Sequence, residues 1–243
     1  MDRTEKRKSR KKNLYIAFCI VLAAMEIAAF YLCAKSMVSP AEALQTTSMK
    51  IVLDAGHGGI DGGVTGKYSG VKESDLNLEI TYLAAEKFRE AGFETALTRK
   101  TDEGLYGAAT HGFKKRDMQK RKEIIEEERP AAVISVHQNF YPSSFSRGGQ
   151  VFYLKGSEEG AAFAECLQTA FNALYGGKGV KTRKKATGDF FMLSCTDYPS
   201  ALVECGFLSN AKDEALLLTD DFKRAVADAI VQGTIAYFST VAT

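Results

Sequence analysis

From residue 49 onward, apolar and polar positions alternate in two rhythms that predict strands and helices in turn. Short apolar runs indicate buried strands, and apolar positions three to four residues apart indicate amphipathic helices. The predicted strands are Met49–Leu53, Phe93–Thr98, Ala131–Val136, Gln150–Leu154, Phe190–Leu193 and Ala201–Val203. The predicted helices are one capped by Ser74 and ended by Ala91-Gly92, then Lys114–Arg129, Glu158–Tyr175 and Asp221–Phe238. This order is typical of a single α/β domain whose mostly parallel, twisted sheet is flanked by helices.

The N-terminal segment has a different pattern. Residues 2–12 contain seven Lys or Arg and two acidic residues, and they lead into residues 14–34, an apolar stretch of 21 residues whose one charge is Glu26. A span of about 20 apolar residues crosses a hydrocarbon core of about 30 Å. Because basic flanks stay in the cytoplasm, the pattern predicts four parts. They are a cytoplasmic tail (1–13), a transmembrane anchor (14–34), a linker (35–48) and an exported domain (49–243).

A cleaved signal peptide is the second interpretation of the same segment. Small residues permit cleavage at 34–36 or 41–43, which would release the domain as a secreted protein. The apolar span exceeds the roughly 7–15 residues of a typical signal core, which favours the anchor. A core helix behind a charged tail is a third alternative. The favoured location is the cell membrane, with the N-terminus in the cytoplasm and the domain outside.

Composition and charge exclude several classes of protein. Apolar residues make up 45% of the chain and charged residues 26%, which excludes a disordered chain and a polytopic membrane protein. The net charge is +2; because residues 2–12 alone contribute +5, the remainder is net acidic and lacks a basic surface for nucleic acid. Five cysteines without a Cys-x-x-Cys motif exclude a disulfide scaffold. The pairing of Cys166, Cys195 and Cys205 stays open.

Two histidines and two glutamates are the candidates for chemistry. His57, His137 and Glu204 each follow the end of a predicted strand, and such positions converge at one edge of a parallel sheet. Glu73 begins a predicted helix after the glycine-rich loop and is a second carboxylate for that edge. Two imidazoles and a carboxylate suit a zinc ion, and a second carboxylate would take a proton from water. Spacing does not decide which glutamate has which role. The alternative is structural histidines and a glutamate that serves the helix dipole.

Four motifs occur in an order that resembles a known family. They are Leu53–Gly59 (LDAGHGG), Glu73 ahead of Asn77, Ser135–Asn139 (SVHQN) and Val203–Asn210 (VECGFLSN). Together they resemble the Amidase_3 family of zinc-dependent N-acetylmuramoyl-L-alanine amidases, over about residues 49 to 240. Within this family the sequence is most similar to the germination-specific, CwlD-type branch of spore formers. The similarity rests on the apolar N-terminal segment and on the lack of wall-binding repeats.

The resemblance implies a role for each candidate residue. It implies one zinc ion held by His57, Glu73 and His137, with Glu204 as the catalytic base. The implied reaction is hydrolysis of the amide between N-acetylmuramic acid and the L-alanine of the stem peptide, in spore cortex maturation or wall remodelling. Implied partners are peptidoglycan and a protein activator, and the apolar N-terminal segment adds the membrane as a predicted partner.

The weaker site assignments concern two further residues. Asn139 and Arg99 are predicted to contact substrate or to support the zinc ligands, and a buried salt bridge is the alternative for Arg99. The sequence departs from the family pattern at Glu126, at Gln138 and in the long loop 101–115, none of which includes the four central residues.

Two rival functions remain at this stage. In the first, Cys205 is the nucleophile of a cysteine amidase with His137 as its base. In the second, the chain is a membrane-tethered, catalytically idle protein that binds or regulates the cell wall. The basic loop 176–189 is predicted either to meet the anionic wall or to be an ordinary solvated loop.

Overall fold

A six-stranded sheet forms the centre of the domain in the computed structural model, which describes residues 49–241. The strands are β1 (Lys50–Ala55), β2 (Glu94–Leu97), β3 (Ala132–Asn139), β4 (Gln150–Tyr153), β5 (Ala186–Thr187) and β6 (Ser200–Phe207). Their spatial order is β2-β1-β3-β6-β4-β5. Four pairings are parallel and one, between β4 and β6, is antiparallel. The predicted α/β class is therefore confirmed, with a mixed sheet.

Helices cover both faces of this sheet. They are α1 (Glu73–Glu90), α2 (Phe113–Glu128), α3 (Glu158–Gly176), α4 (Phe191–Ser194), α5 (Ala211–Leu217) and α6 (Asp220–Val241). Helices α1 and α3 both pack against α6. On the other face, Val52 and Val133 pack against Ile125 of α2 and Met192 of α4. Burial on both faces explains why β1 and β3 are nearly continuous apolar runs.

Several sequence predictions are wrong in detail. The predicted strand Phe190–Leu193 is a short helix, because a run of four apolar residues does not distinguish a strand from a buried turn of helix. Ser74 is not a cap, since the first helix begins at Glu73 after Lys72. Helix α5 was not predicted, although the Asn210 side chain accepts hydrogen bonds from two of its amides.

Two strands are longer than predicted, which changes the setting of the site. His137 and Glu204 lie within β3 and β6 rather than after them. They are partners in the parallel register of those strands, so the two side chains are neighbours on one face.

The predicted tail, anchor and linker lie outside the described residues. Between residues 49 and 241, no helix combines the length and the apolar character that a membrane span needs.

Candidate metal centre and catalytic site

Three side chains converge at the edge of the sheet where β1 and β3 end. His57 lies in the loop after β1, Glu73 is the first residue of α1, and His137 lies in β3. Glu73 Oε1 is 2.9 Å from His137 Nδ1 and 3.3 Å from His57 Nε2. One donor atom from each of the three residues lies within 4.8 Å of the others. The structure thus brings together the three residues that the sequence analysis assigned to a metal.

Main-chain and side-chain donors fix the Glu73 carboxylate, which is 3% exposed. The Val64 amide donates to Oε2 at 2.9 Å, and the Gln138 amide donates to Oε1 at 3.1 Å. Burial acts to raise the pKa of Glu73, but hydrogen bonds and charge from His137 and His57 outweigh it and hold the pKa well below its usual range. Glu73 is therefore an anion already aimed at both imidazoles.

The loop that carries His57 has a strained backbone. His57 has a φ of 62°, a left-handed conformation that costs a non-glycine residue free energy and often occurs at functional sites. Asp61 Oδ1 lies 3.2 Å from His57 Nδ1, so this carboxylate orients the ring from the side away from Glu73. A Cβ on Gly56 would lie 2.2 Å from the His137 ring, so only glycine permits this approach.

Glu204 is a half-buried residue beside this cluster. Its Oε2 atom is buried and has no hydrogen-bond partner within the described part of the chain. Burial raises the pKa of Glu204 to about 7; charges on His137 and His57 partly oppose the shift, and that on Glu73 adds to it. A carboxylate with a pKa near neutral is suited to accept and return a proton.

The raised pKa of Glu204 predicts a pH-dependent stability difference for Glu204→Gln in metal-free protein. The ordinary pKa is 4.5 and the folded one about 7, so the folded state binds the proton more tightly and its stability falls as the pH rises between them. Glutamine does not titrate, so the variant does not lose this stability as the pH rises. At pH 8 we expect its free energy of unfolding to exceed that of wild type by about 3 kcal/mol, and the gap to close near pH 4.

Urea unfolding in the presence of a chelator, at several pH values, measures this gap. Glu159→Gln, on the exposed first turn of α3, is the control and should show no such pH dependence. A constant difference between wild type and Glu204→Gln across the pH range would contradict the prediction.

The donor set fits a divalent zinc ion. Two imidazole nitrogens and one carboxylate are a ligand set of catalytic zinc sites, which leave a fourth position for water or substrate. Hydrolysis at such a site also requires a second carboxylate that accepts a proton from water. Glu204 supplies that carboxylate, and its Oε2 atom has no hydrogen-bond partner among the described residues.

A buried ion network supports the loop of His57 from behind. Arg121 of α2 is fully buried, and its guanidinium contacts Asp54 Oδ1 at 2.5 Å and Asp117 Oδ2 at 2.6 Å. The same guanidinium donates to the carbonyl oxygen of His57 at 2.6 Å. Arg121 therefore joins the end of β1 to α2 and fixes the peptide at the metal ligand.

The Asp54 carboxylate remains ionised inside this network. Burial acts to raise its pKa, but the Arg121 charge and hydrogen bonds from Ser135 and Thr98 lower the pKa to about 2. At physiological pH the negative charge of Asp54 therefore balances the positive charge of Arg121.

Helix α5 holds two loops through adjacent buried carboxylates. Glu214 accepts hydrogen bonds from the amides of Tyr68 and Ser69, in the segment that leads to Glu73. Asp213 accepts from the Gly148 amide at 2.7 Å and pairs with Arg147 at 2.9 Å. One turn of helix therefore positions both segments.

Arg99 is buried and supports the main chain. Its guanidinium donates to carbonyl oxygens at the end of β1 (Ala55 and Gly56), at the start of α1 (Ser74) and in the loop after β2 (Thr101). Within residues 49–241 these bonds go to carbonyls and none goes to a carboxylate, so the buried salt bridge expected as an alternative is not formed. Asn139, the last residue of β3, is half-buried, and its contact with substrate stays a prediction.

The cysteine alternative is not supported. Cys205 is completely buried, and burial raises the pKa of its thiol far above the usual range. A nucleophilic cysteine needs an accessible thiolate.

An apolar pocket of about 220 Å³ adjoins the two histidines. It lies between α2 and α4, and its apolar walls include Tyr106, Phe113, Met118, Phe191, Met192 and Leu202. The Tyr106 hydroxyl accepts a hydrogen bond from the Ile60 amide, which ties this wall to the loop of His57.

The sequence analysis missed three supporting residues. Asp61 follows His57 by four residues in the same loop, and that spacing is a signal that was available. Asp117 and Arg121 lie four apart on a strongly charged helix, where such a pair usually indicates a solvated surface.

Comparisons with known proteins agree with this arrangement. The family model for N-acetylmuramoyl-L-alanine amidase (Amidase_3) matches residues 51–236. The chain is 32% identical over 192 residues to the germination-specific N-acetylmuramoyl-L-alanine amidase of Bacillus subtilis, with 78% of this chain and 79% of that protein covered. All four site residues fall within the matched range.

Solved structures give the same result. The CwlD amidase of Clostridioides difficile, in complex with the GerS lipoprotein, has a TM-score of 0.75 and 33% identity over 79% of this chain and 99% of that one. The catalytic domain of CwlV, from Bacillus (Paenibacillus) polymyxa, has a TM-score of 0.69 and 29% identity over 79% and 98%.

Proposed function

The chain belongs to the N-acetylmuramoyl-L-alanine amidase family, and from that premise we propose that it is a zinc enzyme acting through His57, Glu73, His137 and Glu204. The family acts on peptidoglycan, at the amide between N-acetylmuramic acid and L-alanine. The observation that carries the proposal is the convergence of one donor atom from each of His57, Glu73 and His137 within 4.8 Å.

The three donors would hold the zinc ion, and Glu204 would move the proton. When bound, zinc acts as a Lewis acid that polarises a carbonyl and lowers the pKa of water. Glu204 accepts a proton from the attacking water and then donates it to the leaving nitrogen of L-alanine. Asp61 would hold the His57 ring in place, since its carboxylate contacts Nδ1, the ring nitrogen that faces away from Glu73.

Metal analysis of His137→Ala tests the ligand assignment. We expect wild-type protein to retain one zinc ion per chain after dialysis and the variant to retain almost none, because one of three protein donors is lost. His111→Ala is the matched control, since His111 lies exposed in loop 101–112, and it should retain zinc. The same samples are incubated with purified peptidoglycan, and new N-terminal alanine is measured.

Zinc with release of alanine in wild type supports both parts of the proposal. No zinc in folded wild-type protein would overturn the ligand assignment. Zinc without release is the result expected of an enzyme that lacks its activator and also of the catalytically idle alternative.

We also propose that residues 14–34 span the cell membrane and hold the catalytic domain on its outer side. We further propose that a protein activator regulates this domain. The basic tail and apolar span support the anchor. The complex of the Clostridioides difficile relative with a lipoprotein supports a protein partner. The germination-specific relative of Bacillus subtilis supports a role in the spore cortex.

A further inference from the structure

A second surface lies at the same edge of the sheet as the proposed zinc ligands. Because β4 runs antiparallel to β6 and begins at Gln150, opposite Glu204, the segment 140–149 enters the sheet at the edge where β6 ends. Strand β5 is parallel to β4, so the segment 177–185 enters there as well. A cavity of about 500 Å³ lies between these two segments, and we call it the basic groove.

The walls of the basic groove are held in place. Arg183 Nε donates to the Arg147 carbonyl at 2.9 Å, and its Nη1 donates to Gln150 Oε1 at 3.3 Å. The Arg183 guanidinium also lies 4.9 Å from the ring centre of Phe207. These contacts join the two segments to each other and to the strand beside Glu204. The basic groove is therefore a built feature beside the catalytic carboxylate.

The charge of the basic groove is positive. Its lining includes Arg147, Lys181 and Arg183, and no acidic side chain among the described residues lines it. Asp213 is buried and pairs with Arg147, and its charge also acts on Arg183. Lys181 is exposed and has no ion pair among the described residues. Phe145 stands on the rim with 92% of its surface exposed. The surface thus offers cations and one aromatic ring to a ligand.

The substrate has carboxylates on one side of the scissile bond. The amide bond uses the lactyl carboxyl of N-acetylmuramic acid, so the glycan side carries no free carboxylate there. The stem peptide ends in a carboxylate and carries a glutamate. Guanidinium and ammonium groups form their strongest hydrogen bonds with such anions. The apolar pocket between α2 and α4 also has cations in its lining, but they are paired: Lys114 contacts Asp61, and Arg121 contacts Asp54 and Asp117.

We propose that the basic groove binds the carboxylates of the stem peptide, with Lys181 and Arg183 as residues that determine substrate specificity. This inference rests on the proposed function. It fixes the direction of the substrate, with the peptide over β6, β4 and β5.

Steady-state kinetics on two soluble substrates test the proposal with the full chain in detergent. One substrate is an N-acetylmuramyl tetrapeptide with free carboxylates, and the other is the same compound with carboxamides. We expect wild type to prefer the first about 10-fold in kcat/KM, the discrimination that one charged hydrogen bond supplies. Lys181→Glu should raise the KM for the carboxylate substrate about 10-fold or more and abolish the preference.

The matched control is Lys155→Glu, which makes the same charge change on an exposed lysine after β4, at the opposite edge of the sheet. It should keep the wild-type preference. Equal preference in wild type, or equal effects of the two variants, would overturn the proposal. A KM unchanged by Lys181→Glu, with loss of binding to phosphatidylglycerol vesicles, would assign the surface to anionic lipid instead.

If wild type cleaves neither substrate, calorimetry of both tetrapeptides tests peptide binding by the basic groove separately from the proposed function. Tighter binding of the carboxylate form, lost in Lys181→Glu, supports the groove. Equal binding of the two forms overturns it.

Discussion

Replacing Glu204 with glutamine is expected to lower kcat about 10²–10⁴-fold while the bound zinc stays unchanged. Glutamine preserves the shape of the side chain but accepts no proton at the pH of the reaction. Glu204 lies beside His137 in the strand register, has a buried oxygen without a partner, and has a pKa raised by burial to about 7. These features describe a proton carrier rather than a ligand. The measurement is the release of N-terminal alanine from purified peptidoglycan, with zinc determined on the same samples.

The control for this prediction is Glu159→Gln, the same chemical change at an exposed position of α3. It should leave kcat and zinc content as in wild type. Full activity of Glu204→Gln would show that another group takes the proton. Loss of zinc together with activity would identify Glu204 as a ligand.

Replacing Arg121 with methionine is expected to destabilise the protein by about 3–5 kcal/mol. Methionine fills much of the volume of the guanidinium but leaves the carboxylates of Asp54 and Asp117 buried without their cation. The carbonyl of His57 also loses its donor. Urea unfolding of metal-free protein at neutral pH measures the change in the free energy of unfolding.

Arg224→Met, at an exposed position of α6, is the matched control and should cost about 1 kcal/mol or less. Adding Asp54→Asn to Arg121→Met should cost less than the two single changes together, because the uncompensated charge is removed. Strict additivity would show that charge imbalance is not the cause.

Much of the site was predictable because residues at the carboxyl ends of neighbouring parallel strands converge at one edge of the sheet. His57, His137 and Glu204 stand in the sequence near the ends of strongly apolar runs, and apolar periodicity finds such strands. Spacing left the roles of Glu73 and Glu204 open, and only the family motifs separated them. The structure adds physical reasons for that choice, since Glu73 contacts both imidazoles and the Glu204 oxygen has no partner.

Other features depend on contacts between distant residues. Arg121 bonds to Asp54, which is 67 residues away, and no local pattern reveals such a partner. Phe190–Leu193 has the composition of a strand, but packing against α2 and β6 makes it a turn of helix. The basic groove depends on the reversed direction of β4, which periodicity does not detect.

The adjacent carboxylates of α5 connect the two halves of the substrate site mechanically. Glu214 holds the segment before Glu73, and Asp213 holds the segment that forms one wall of the basic groove. Because the two residues are consecutive on a short helix, a tilt of α5 moves both segments at once. A displacement of this one helix would therefore alter the loop ahead of Glu73 and one wall of the basic groove together.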